Sequence, residues 1–86
     1  MAFAVPARVL MQDAPKLLAA GLLAVRGGET EIDLSAVREC DSSLLACLLA
    51  WRREAAAPGA ALVVLEAPMQ IRRIAELYGV ASLALG

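Results

Sequence analysis

Asp41-Ser42-Ser43 sets one carboxylate and two hydroxyls directly before an apolar run, Leu44–Trp51. Oxygens at the start of a helix accept hydrogen bonds from its unpaired first-turn amides, so the triplet reads as a helix N-cap. The same positions lie at the positive end of the helix dipole, where an anion is favoured. A recognition or phosphorylation site is therefore a second reading. These residues alone leave both readings open.

Little else in the chain offers chemistry. There is no histidine, which removes Ser–His catalysis and the usual His-type metal sites. Cys40 and Cys47 stand seven residues apart, a spacing that fits neither a CxxC redox motif nor a zinc site. Both lie in apolar surroundings and read as small core or interface residues. The only base near a nucleophile is Asp41, so no enzyme and no cofactor is expected. The net charge is −1 with no basic run, so nucleic acid is not an expected ligand.

The 86 residues make one small domain, 1–86. With 60% hydrophobic residues but one Phe, one Tyr and one Trp, the core must come mostly from Leu, Val, Ile and Ala. So short a chain is marginally stable alone, which favours a bound partner. Leu44–Trp51 is too short to span a bilayer, and the first fifteen residues lack the pattern of a signal peptide. A cytoplasmic protein with no direct membrane insertion is expected.

Several elements must position the triplet. Ala2–Val5 reads as a strand ended by Pro6, and near an edge if Pro6 belongs to it. Ala7–Ala14 is a connection, although Arg8–Met11 can extend the strand. Asp13 can cap a helix with Pro15 in its first turn, and Leu17, Leu18, Leu22 and Val25 recur at helical spacing. Gly27-Gly28 stops that helix, and Gly21 within it reads as a close-packing position. Glu29–Leu34 alternates polar and apolar residues as a strand does, and Ser35–Cys40 is a turn. Ala57-Pro58-Gly59-Ala60 is another turn. The continuous apolar run Ala61–Leu65 suits a strand buried on both faces. Gln70–Tyr78 is a helix with Ile71, Ile74, Ala75 and Tyr78 towards the core and Gly79 as its C-cap. Val80–Leu85 is a last short strand or helix. Strands alternating with helices imply an α/β sandwich, helices on a largely parallel sheet.

The helix that begins at Ser42 is apolar almost all round for two turns, wider than one core-facing stripe. Such a helix is either deeply buried or covered by a partner. The expected arrangement puts Leu45, Leu48 and Leu49 inward and Leu44, Cys47 and Trp51 outward. Asp41, Ser42, Ser43, Leu44, Cys47 and Trp51 are then the partner-binding residues. An uncovered face of that kind drives association, so the free chain is expected to self-associate or to sit against a partner.

Ile32-Asp33-Leu34-Ser35 closing a strand, a short loop, Asp41-Ser42-Ser43 and an apolar helix together resemble a STAS domain. This is the fold shared by anti-anti-sigma factors and sulfate-transporter tails. Ile74-Ala75-Glu76-Leu77-Tyr78 is similar to a Leu-Ala-x-Leu-Tyr motif of one branch. That branch is the cytoplasmic STAS subunit (MlaB-like) of the bacterial phospholipid ABC transporter that maintains lipid asymmetry. The resemblance runs from Ala2 to Leu85. It implies a mixed, largely parallel sheet of about four strands with helices packed on it. It also implies a non-enzymatic subunit that binds and regulates or stabilises the transporter ATPase, peripheral to the inner membrane through that partner. Ser42 lies where the branch has a hydroxyl residue needed for docking. The alternative it implies is an anti-anti-sigma factor that binds an anti-sigma factor kinase and is switched by phosphorylation of Ser43. Two departures stand out. Leu44 replaces the Gly that usually follows the triplet, which suits an apolar docking face better than kinase recognition. The family's first strand has no counterpart before Ala2–Val5, which leaves an open edge.

Overall fold

A computed structural model describes residues 2–55 and 62–86. The expected turn at Ala57–Ala60 lies outside the described residues. The elements run β1 Phe3–Ala4, β2 Arg8–Val9, α1 Ala14–Arg26, β3 Glu31–Asp33, β4 Glu39–Cys40, α2 Ser42–Glu54, β5 Val63–Leu65, α3 Met69–Leu77 and α4 Ala81–Ala84. The fold is α/β, with a small, largely parallel sheet and packed helices.

β1, β3 and β5 form one sheet in that order, every pair parallel, with Phe3 opposite Ile32 and Ile32 opposite Val64. β2 and β4 pair in parallel beyond it, with Val9 opposite Cys40. The chain therefore runs as one edge strand bent at Pro6, beside a second strand interrupted at residues 34–38. Bonds from Arg38 and Glu39 N–H to the Ala7 carbonyl bridge the bend. Ser35–Cys40, expected as a turn, ends in strand β4. Its identity depends on pairing with Arg8–Val9, far away in sequence. β5 is a correction as well. It was expected to be buried on both faces, but it is the last strand of its sheet and Val63 is 47% exposed.

Right-handed parallel crossovers in the order β1-β3-β5 carry α1 and α2 to the same face of the sheet. There α2 lies among α1, α3 and α4, touching all three. This contradicts the expected outward position of Leu44, Cys47 and Trp51, which are fully or almost fully buried together with Leu45 and Leu48. A helix apolar all round can be covered by its own chain, and here three helices and the sheet do so. Leu44 fills the core instead of forming a docking face. The basis for self-association on that face goes with it. Tyr78, expected inward, is 63% exposed.

Trp51 explains how α1 and α2 come so close. Its Nε1–H donates to the Leu18 carbonyl at 3.1 Å, which satisfies the one polar atom of the indole. Phe3 meets the ring edge-on, with centroids 5.6 Å apart. On α1 the ring lies over Gly21, where any Cβ would overlap the indole. Both α1 and α3 stop at a left-handed glycine, Gly28 (φ 104°) and Gly79 (φ 70°). The bonds Glu29 N–H to Ala24 and Val80 N–H to Ala75 close each end in a Schellman turn. Arg52 Nε donates to the Ala84 carbonyl at 2.8 Å and fastens α4 to α2.

Trp51 is thus a core residue and its truncation acts on folding. Trp51→Ala is expected to lower the unfolding free energy by about 3–5 kcal/mol, and Gly21→Ala by about 1–3 kcal/mol through overpacking. Urea titration followed by circular dichroism measures both. A Trp51→Ala loss below about 1 kcal/mol contradicts the core assignment.

Candidate functional site

The second strands of the two bent pairs, β2 and β4, end side by side, and the helices α1 and α2 begin just beyond them. Asp41 occupies the junction. It is the N-cap of α2 with extended backbone (φ −128°, ψ −168°). Its Oδ1 accepts from the Ser43 N–H at 2.9 Å and also from the Ser43 hydroxyl. Its Oδ2 accepts from the Met11 N–H at 3.0 Å, across thirty residues of sequence. One carboxylate therefore caps α2, occupies the Ser43 hydroxyl and holds the β2–α1 turn. Donation by the Ser43 hydroxyl, then by the Ser43 and Met11 amides, holds the Asp41 carboxyl below its ordinary value of 3.8 against partial desolvation.

The neighbouring Asp13 departs from its expected role. It stands at the N-cap position of α1, but its side chain makes no bond to that helix. Pro15 removes one of the two amides a cap would use. The carboxylate turns back instead. Oδ2 accepts from Leu10 N–H at 3.0 Å and Oδ1 pairs with Arg8 at 3.3 Å. The Leu10 amide, then Arg8, lowers the Asp13 pKa.

The two serines differ. Ser43 is half-buried with its hydroxyl committed to Asp41. Ser42 is exposed, and its hydroxyl has no hydrogen-bond partner among the described residues. It heads the one open stripe of α2, Ser42, Ala46, Leu49 and Arg53, of which Leu49 is half-buried. Of the expected partner-binding residues, Asp41, Ser42 and Ser43 come together at the surface end of α2. Leu44, Cys47 and Trp51 lie behind them in the core.

Apolar neighbours of this end, which no sequence pattern singled out, complete the surface. Met11 is 75% exposed at the tip of the turn that Asp41 holds. Met69 is exposed at the start of α3. The next residue, Gln70, accepts from Cys40 Sγ at 3.6 Å, which places the first turn of α3 beside the end of β4. The only sequence signal for Met11 was an apolar residue within a turn segment, Met11-Gln12-Asp13-Ala14-Pro15.

Burial raises the thiol pKa of both cysteines, and Asp41 adds to the rise at Cys40. Both are free thiols held from the nucleophilic thiolate form. No group of three or more His, Cys, Asp or Glu able to hold a metal ion occurs among the described residues. A groove of about 770 Å³ lies between β1 and α1, lined by Phe3, Pro6, Lys16 and Leu17 among others. It does not reach Ser42 or Ser43.

A small parallel sheet with its helices on one face, and a capped Asp-Ser-Ser turn at the start of the most buried helix, define a STAS-type α/β module. A family model described as MlaB, STAS domain, matches residues 4–85, and the chain belongs to this family. STAS domains are generally non-catalytic. No curated protein and no solved structure matches the chain significantly. None of the described helices is long and apolar enough to cross a membrane.

The lowered Asp41 pKa fixes a pH dependence. Its contribution to stability is fully present above the ordinary carboxylate value of 3.8 and is lost as pH falls through the lower folded-state value. Asp41→Asn is expected to flatten the acid limb of the Tm-against-pH curve without abolishing it, because Asp13 and Asp33 are lowered too. A thermal melt series from neutral to acid pH measures this. An unchanged acid limb removes Asp41 from the linkage.

Proposed function

We propose that the chain is a non-enzymatic accessory subunit that docks on the ATPase subunit of a phospholipid-transport ABC transporter and regulates or stabilises it. It reaches the inner membrane through that partner. The family match supports the class of protein. The observation that carries the docking point is the exposed, uncommitted hydroxyl of Ser42 at the start of α2, beside a Ser43 hydroxyl already taken by Asp41. With Leu44, Cys47 and Trp51 in the core, the contact is made by the capped end and the narrow stripe behind it. Regulation then follows from differential affinity. A subunit that binds one arrangement of the ATPase more tightly shifts its equilibrium by that difference and by no more.

The anti-anti-sigma alternative is less well supported. A phosphate on Ser43 would bring about two negative charges against the ionised Asp41 carboxylate and break the bond that occupies the hydroxyl.

Ser42→Glu is expected to reduce pull-down of the ATPase subunit and leave the melting curve of the free chain unchanged or slightly raised. A carboxylate in the first turn favours the helix itself, whereas a desolvated charge opposes the complex. Undiminished pull-down would remove Ser42 from the interface. Intact-mass and peptide mapping of protein from its native host is expected to find no phosphate on Ser43; a substantial phosphorylated fraction there would favour the alternative.

A further inference from the structure

The turn between β2 and α1 combines an exposed apolar tip with a firmly held backbone. Its tip is a large apolar side chain in water, Met11 at 75% exposure. Its backbone is nonetheless held at several points. Leu10 N–H is bound by the Asp13 carboxylate at 3.0 Å. The Asp13 and Ala14 amides return to the Leu10 carbonyl at 2.9 and 3.2 Å. Met11 N–H is bound by Asp41 Oδ2 at 3.0 Å. Two carboxylates thus hold a segment whose apolar side chain stays mostly in water. Fixing an exposed side chain in advance reduces the ordering cost of a later association. Methionine suits this use, because its flexible, polarizable thioether adapts to irregular apolar pockets.

The second observation is what Met11 is fixed to. The carboxylate that holds its amide is the one that caps α2 and places Ser42. The turn and the helix start therefore keep one geometry, and whatever covers Ser42 is adjacent to the Met11 turn.

We propose that Met11 is a second contact of the docking surface, inserted into an apolar pocket of the same ATPase subunit that covers Ser42, with Asp41 as its positioning residue. This rests on the docking reading above and adds the chemistry of the partner's surface, an apolar recess beside a polar contact for a hydroxyl. Asp41 acts through the turn it holds and needs no contact of its own with the partner.

The test uses the full chain and the isolated ATPase subunit, with Kd from titration calorimetry, melting curves, and sedimentation of the free chain. Met11→Gln is expected to weaken binding about tenfold, the loss typical of a buried interface anchor, with an unchanged Tm. Met11→Leu is expected to retain most of the affinity. Asp41→Asn keeps a cap oxygen for α2 but loses an acceptor for the Met11 amide. Its effect on Kd is expected to be largely absorbed by Met11→Gln in the double variant, as for two residues acting through one contact. Normal binding by Met11→Gln alongside weakened binding by Ser42→Glu overturns the proposal and leaves the docking reading standing. Normal binding by both overturns both. A Met11→Gln effect confined to self-association of the free chain assigns the turn to a second copy and overturns the proposal. Full additivity of Asp41→Asn and Met11→Gln overturns the positioning role.

Discussion

The contact between the Trp51 indole and the bare backbone at Gly21 sets the rest of the molecule. An aromatic of this size, fully buried, supplies apolar area that a short chain can get from few other residues. It fits only because α1 carries no side chain at residue 21 and offers the Leu18 carbonyl to the indole N–H. The close α1–α2 approach that results draws Phe3 of the edge strand against the ring and leaves α3 and α4 to cover the remaining side of α2. Arg26 and Glu54, paired at 3.3 Å near the ends of the two helices, are exposed enough that their contribution is small beside this burial.

That constraint divides the work along α2. Its interior length is core on nearly every side, so it has no broad apolar face left for a partner. What it displays is its beginning, where the Asp41 carboxylate collects an amide and a hydroxyl from Ser43 and an amide from Met11. The docking proposed above uses this small area, whose geometry is fixed from the core outward by Trp51 and from the surface inward by Asp41.

Elements with strong local signals were legible in the sequence. α1 has helical spacing of leucines between a Pro in its first turn and a Gly pair at its end, and α3 ends at a Gly whose left-handed backbone closes a Schellman turn. Asp41 was readable as a cap because it stands directly before an apolar helical run, although a recognition or phosphorylation role for the triplet stayed open beside that reading. The failures are those in which distant partners decide. β4 is two residues whose strand character comes from Arg8–Val9. The Ala61–Leu65 run looked central because it is apolar, yet strand order places β5 at the edge. The face of α2 was misassigned because a helix apolar all round carries no period that tells inside from outside. Met11 was invisible, since nothing local distinguishes an exposed methionine in a turn from a buried one.

α2 is a core helix, and the proposed docking uses only its capped beginning and the turn tied to it. Amide hydrogen exchange of the full chain, free and bound to the transporter ATPase subunit, tests this most directly. The predicted result is slow exchange of the Leu48–Trp51 amides in the free chain, with binding slowing exchange chiefly at Met11, Gln12 and Ser42–Ala46. Fast exchange around Trp51 in the free chain, or binding-induced protection confined to Leu77–Leu83 with none at Met11 or Ser42, would contradict it.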